Sequence, residues 1–258
     1  MVSRYRQPAL ITRKRRAEGL LLWVMAALVG AVTLQVAASE QPSSELRPYT
    51  AEYKTTARGF DLNVTRKLEA DDNNHFILTN GGKILVVGFH EISVFRVEGE
   101  EIRSISYIYQ GTGLVSRRQE LHFDAEPGKI TSLYKDRWYD LPDNGRTLDR
   151  MNQMEQLRLE LLQDPTEVGD ITLRIADGKR LKNSQLILIG EETQNTPLGP
   201  VATLHYERLH DDPDRKSDFW LAPEWDYLMV RMVHIEDGDP VEMVLTAATL
   251  DGEVVVIN

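Results

Sequence analysis

The segment from His205 to Asp214 brings together two histidines, a glutamate and three aspartates, the richest local set of metal-capable side chains in the chain. A bound cation requires such groups to converge. On an extended strand, His205 and His210 lie an odd number of residues apart and start on opposite faces. The acidic run also fails a calcium-loop pattern. Lys216 stands where a third ligand would follow Asp212 and Asp214, and the required glycine is missing. A solvated turn is expected here, with no metal. Other catalytic patterns are equally thin. No Gly-x-Ser-x-Gly elbow, His-Glu-x-x-His pair or phosphate-cradling loop occurs, and Gly111-Thr-Gly113 lacks the lysine and helix that would give it meaning. Carboxylate pairs carry little information in a chain with 40 acidic residues. The sequence points to a protein without catalytic residues or cofactors.

Three residues remain as ligand-binding candidates: Arg231, His234 and Trp225. The first two interrupt an otherwise apolar strand running from Tyr227 to Glu236, where an unpaired charge would be costly. In a regular strand Arg231 shares a face with Met229 and Val233, and His234 shares the other with Val230 and Met232. A buried arginine needs a carboxylate or the anionic head of a ligand, and the many acids make a salt bridge the simpler partner. For His234 the simpler reading is an ordinary hydrogen-bonded histidine. Trp225 belongs to an aromatic stretch with Phe219, Trp220 and Tyr227. Read as a hairpin, this stretch places Trp220 on its first strand and in the core. Trp225 falls in the turn from Pro223 to Asp226 and is expected at an exposed rim.

These residues must be positioned by a meander. From Arg47 onward, short alternating runs such as Tyr49–Tyr53 and Ile102–Tyr109 are separated by turn signals at Glu98-Gly-Glu100, Glu126-Pro-Gly128, Asp177-Gly178 and Asp237-Gly238. In the second run Ile105, Tyr107 and Tyr109 share one face. One segment departs from this period. Apolar residues at Leu148, Met151, Met154, Leu157 and Leu161 form a helical stripe over about 148–163, with Thr147 as its cap and Asp164-Pro165 as its stop. The expected fold is mostly β: a curved antiparallel sheet or partly open β-barrel with one central α-helix filling its concave face. Strands apolar on both faces call for cover on both sides, by protein or by a bound apolar molecule.

The N-terminus differs in kind. Arg4, Arg6, Arg13, Lys14, Arg15 and Arg16 precede the apolar run Leu20–Val32, and Val36-Ala37-Ala38 supplies a small-residue site. That order predicts a signal peptide over 1–38, with an uncleaved membrane anchor as the alternative. A short linker at 39–46 then leads into a single domain, 47–258. Beyond residue 38 the chain holds 24 basic and 39 acidic side chains, a net of −15. Such a balance disfavours nucleic acid and anionic membrane surfaces as partners. Zero cysteines exclude disulfides, thiolate metal sites and a lipid-modified N-terminus, so an exported domain must rely on its core.

The C-terminal half is similar to a known family. Its marks are Asn195–Leu204, then Phe219-Trp-Leu-Ala-Pro223, then Leu228-Met-Val-Arg231 and Asp237-Gly238 before a last apolar strand. With Tyr49–Tyr53 and Arg58-Gly59-Phe60 as a first hairpin, the order and spacing over roughly residues 46–250 resemble the bacterial domain of unknown function 3108. The resemblance implies an exported, periplasmic protein of the Gram-negative envelope, and it brings no catalytic residues. The functional expectation is a non-catalytic envelope protein that binds an amphiphilic ligand or a protein partner. A structural assembly factor and a glycan or lipid hydrolase are the alternatives.

Overall fold

The computed structural model describes residues 45–57, 60–84, 87–113, 116–167 and 169–257. The signal-peptide or anchor segment, 1–38, lies outside them. Among the described residues no helix is long and apolar enough to cross a membrane.

Eight strands come first: β1 (Tyr49–Ala57), β2 (Phe60–Ala70), β3 (Phe76–Ile84), β4 (Val87–Glu98), β5 (Glu101–Thr112), β6 (Arg117–Glu126), β7 (Lys129–Tyr134) and β8 (Arg137–Pro142). Helix α1 (Gln153–Gln163) follows. The chain then returns to β9 (Ile171–Asp177), β10 (Arg180–Thr196), β11 (Gly199–Arg208), β12 (Arg215–Ala222), β13 (Leu228–Glu236), β14 (Asp239–Leu250) and the short β15 (Glu253–Val254). All pair antiparallel in one sheet. Two meanders, β1 to β8 and β9 to β14, join where β1 pairs β14, leaving β8 and β9 at the ends. The sheet curls without closing. Asp-Gly turns serve the tight hairpins, as at Asp237 and Gly238, both with positive φ.

Among the described residues the register shifts at five places, one of them in β6 between His122 and Glu126, and four are single-residue bulges. Ile105 in β5, Ile189 in β10, Val230 in β13 and Thr246 in β14 are each skipped by the register. An extra residue kinks its strand and reverses which parity faces inward beyond it. The alternation expected for Ile102–Tyr109 is therefore split. Ile102 and Ser104 are buried before the bulge, and Tyr107 is buried after it.

The two free ends approach each other. Leu148 donates its amide to the Arg174 carbonyl and accepts from the Ala176 amide, covering the outer edge of β9. Ser132 of β7 donates to the Gly178 carbonyl at 2.6 Å. Any side chain at Gly178 would meet the Tyr134 ring at 2.8 Å, so this turn requires glycine.

The helix begins five residues later than its apolar stripe predicts, for a local reason. Leu148 is committed to β9 and cannot be helical. Asp149 then organises the start: one carboxylate oxygen accepts the Met151 and Asn152 amides, and the other accepts the Ser93 hydroxyl at 2.5 Å. Thr147, the expected cap, instead accepts the Ser104 hydroxyl on its carbonyl. The stop at Asp164 holds, its amide bonding to the Glu160 carbonyl.

Helix α1 is buried on nearly every side, polar residues included. Glu155 is the central one. Its carboxylate takes Arg158 Nη1 at 2.6 Å on one oxygen, with Tyr49 Oη at 2.8 Å and Arg66 Nη2 at 3.0 Å on the other. Burial alone would raise this carboxyl, but Arg158 and Arg66 outweigh it and hold it below its ordinary value. Arg66 comes from β2 and Tyr49 from β1, so the cluster ties the helix to the sheet. Nearby, Gln156 accepts the Ile102 amide and donates to the Glu100 carbonyl, tying it to β5 as well.

Two outcomes follow from these groups. Glu155→Gln leaves two buried guanidiniums without their counter-charge and is expected to lower the unfolding free energy by about 3–5 kcal/mol in urea titrations. Asp149 behaves oppositely with pH. Burial pushes its carboxyl up to about 6, against about 3.9 in an unfolded chain. The native state therefore holds the proton more tightly. Its contribution is fully present below pH ~4 and is lost as pH rises through ~6. Asp149→Asn, which keeps the shape without titrating, is expected to gain about 2 kcal/mol relative to the parent between pH 4 and pH 7.

Candidate functional site

Inside the curl lies a cavity of about 1030 Å³, at or above the ~300–1,000 Å³ usual for small-molecule sites. Its wall follows from strand register. Phe219, Met232, Met243, Thr55 and Leu62 are successive cross-strand partners across β12, β13, β14, β1 and β2, and all line the cavity. They make one apolar lane. Two residues along β12, β13 and β14, and continuing onto β11, Ser217, His234, Val241 and Arg208 form a second, mostly polar lane. Met154 of α1 and Met229 add to the apolar wall, and the Glu155 cluster adds to the lining.

Of the seven cations of the lining, five have carboxylate partners, while Arg180, which is exposed, and Arg208 form no ion pair among the described residues. Arg66 and Arg158 pair with Glu155, Arg150 with Glu91, Lys182 with Asp177, and Arg215 with Asp212 and Glu236. Arg208 is different. Its Nη2 donates to Gln153 Oε1 at 2.9 Å and its guanidinium lies 5.2 Å from the Phe219 ring centre. Its Nε is buried without a partner, and it forms no ion pair among the described residues. Burial and nearby Arg150 pull its pKa down to about 10, against the opposing influence of Asp177. Two further polar atoms of the lining are buried and unpartnered: Ser184 Oγ and Arg158 Nη2. Ser217 bridges His210 Nε2 at 2.9 Å and His234 Nδ1 at 2.8 Å. His210 is held below its ordinary pKa first by burial, then by the nearby Arg208, His234, Arg215 and Lys182.

Of the three sequence candidates, only His234 lines the cavity, hydrogen-bonded as expected. Arg231 is turned to the outer face. The bulge at Val230 breaks the parity that would place it with Met229, so Met229 and Met232 face inward together and Arg231 pairs with Trp220 across the sheet. There it lies 4.7 Å over the Trp220 ring, donates to Glu242 at 2.7 Å and to Gln194 at 2.8 Å. A salt bridge, rather than a ligand head group, occupies it. Trp225 is not a rim residue but 4% exposed. Asp226 and Tyr227 both take left-handed φ and fold the chain back, with the Tyr227 amide bonding to the Ala222 carbonyl. Arg47 and Arg158 fasten Asp226, which presses the short helical turn carrying Trp225 inward.

Trp220 is buried as expected, on the outer face, stacked on His205 at 4.5 Å with its indole donating to Glu192 at 2.8 Å. His205 binds Asp218 on that outer face while His210 turns to the cavity, so the two histidines separate as their spacing requires. No cluster of three or more metal-capable groups exists among the described residues. Arg208 escaped notice although its signal was present. It shares parity with Leu204 and Tyr206, both buried, and so had to point inward.

Tryptophan accessibility provides a direct check. Among variants keeping a single tryptophan, the one with Trp138 (55% exposed) is expected to be strongly quenched by iodide, and those with Trp220 or Trp225 hardly at all.

A crystal structure of a beta-barrel-like protein of domain of unknown function DUF1849 from Brucella abortus is similar in fold, with a TM-score of 0.53 at 12% identity, covering 80% of this chain and 98% of that one. A protein with a YmcC-like fold from Bacteroides fragilis aligns over 80% of this chain and 97% of its own at 12% identity, with a TM-score of 0.32. Comparison with curated proteins finds no match. The model of the family described as protein of unknown function (DUF3108) matches residues 46–246, the span from just before β1 into β14, and the chain belongs to that family.

Proposed function

We propose that this is a non-catalytic protein of the Gram-negative periplasm that holds an amphiphilic molecule in the concavity of its curved sheet. The observation that carries the reading is the pair of lanes. An apolar lane of Phe219, Met232 and Met243 runs beside a polar lane of Arg208, Ser217 and His234, both facing one large cavity. Methionine suits this use, since its unbranched, polarizable side chain adapts to chains of varied shape. The walls are fixed by the sheet register, so little ordering is needed on binding. The export part of the reading rests on the basic, apolar and small-residue order of the first 38 residues.

Purified protein mixed with a fluorescent acyl probe is expected to show saturable uptake and a blue-shifted emission. Met232→Trp fills the apolar lane and should weaken uptake at least tenfold, or about 1.4 kcal/mol, with an unchanged circular dichroism spectrum. Failure of the parent protein to take up acyl probes of any length would overturn the proposal.

A further inference from the structure

We infer that the ligand is an anionic amphiphile, a single acyl chain ending in a carboxylate or a phosphate, and that Arg208 and Ser184 hold its head group. The inference rests on the reading of the cavity as an amphiphile site and specifies its chemistry.

Charge points to an anion. The whole chain is net −10, yet the cavity lining holds seven basic and five acidic side chains. A cationic pocket in an acidic protein attracts anions against the field of the rest of the molecule. Among the lining cations, the five with carboxylate partners are already neutralised. Arg208 is the one held half-buried with only an amide oxygen and a ring face for company. A guanidinium presents a planar fork of donors, and anionic oxygens are its natural complement.

Placement narrows the site. Arg208 is the cross-strand partner of Leu186, and Ser184 lies two residues from Leu186 on the same face of β10. Ser184 is 96% buried by its 4% exposure, and its hydroxyl has no partner. A buried hydroxyl left unsatisfied costs free energy, and Ser184 and Arg208, which both line the cavity, each keep a buried polar atom, Oγ and Nε, without a protein partner. Arg180, further along β10 and exposed, lines the same cavity and brings a second positive charge that forms no ion pair among the described residues. The head group so placed meets water at the rim, and the acyl chain runs inward past Phe219, Met232 and Met154. Arg158 also keeps a free nitrogen, but its charge is already matched by Glu155 at 2.6 Å, so it is the weaker anchor.

Competition against the acyl probe tests this with three ligands of equal chain length: hexadecanoate, a lysophosphatidate and uncharged hexadecanol. At least one anion is expected to bind tenfold or more tightly than the alcohol, and its rank against the other anion names the head group. Arg208→Gln should erase that gap while leaving hexadecanol affinity unchanged, and Arg231→Gln, an equal charge loss on the outer face, should preserve it. Ser184→Ala removes a hydroxyl with no protein partner, so it keeps the fold and should weaken the anion alone by several-fold. Equal affinity for all three ligands, or an anion preference that survives in both Arg208→Gln and Ser184→Ala, overturns the inference and leaves the amphiphile reading standing. Binding of none of the three overturns both.

Discussion

Inside the curved sheet one carboxylate, that of Glu155, is shared by two guanidiniums and a tyrosine hydroxyl drawn from three different elements. Helix α1 is buried on most of its surface within the curved sheet. Holding a polar helix there demands that its charges be met, because an unmatched buried charge costs several kcal/mol. Glu155 meets that demand from within the helix, and Arg66 and Tyr49 meet it from the sheet. The helix then fills one part of the concavity and leaves the rest. Packed apolar side chains would hold a helix just as firmly, but they would also fill the space beside it. The fixed polar cluster and Met154 instead line, side by side, a cavity of about 1030 Å³.

Curvature comes from single residues. Each bulge adds one unpaired residue, and each changes which side chains see the interior. Strand β13 displays the consequence most clearly. Without Val230 as an extra residue, Arg231 would stand in the cavity with Met229, and His234 would stand outside. With it, the two exchange places: Arg231 joins Trp220, Glu242 and Gln194 on the outer face, and His234 joins Ser217 inside.

The legible and illegible parts of the fold divide along this line. Turn signals and alternation gave away the meander, and the methionine and leucine spacing gave away the helix, because both depend on local chemistry. The burial of Trp220 was legible for the same reason. The position of Arg231 was not, since a bulge at Val230 leaves no residue-type mark in an apolar strand. Nor was the start of α1, where the carboxylate of Asp149 and the long-range pairing of Leu148 with β9 override a continuous apolar stripe. Trp225 failed on tertiary grounds too, its turn being pinned by Arg47 and Arg158 from far along the chain. Arg208 was readable from strand parity alone. Its surroundings drew attention as a metal set, although the histidines on either side of it face opposite ways.

The same register that curves the sheet also sorts its inner surface by polarity. Inward-facing residues along one strand are separated by about 7 Å, two residues of extended chain. On β12 that step leads from Ser217 to Phe219, and on β13 from His234 to Met232. Across three adjacent strands the polar residue sits on the same side of the apolar one, because antiparallel pairing keeps cross-strand partners level. A filled hydrophobic core would gain nothing from this ordering, since it excludes polar groups altogether. A surface facing bulk water would gain nothing from the methionines. A graded wall, apolar within and cationic at the rim, is complementary to a molecule graded in the same sense but with opposite charge, a long apolar body with a negatively charged end.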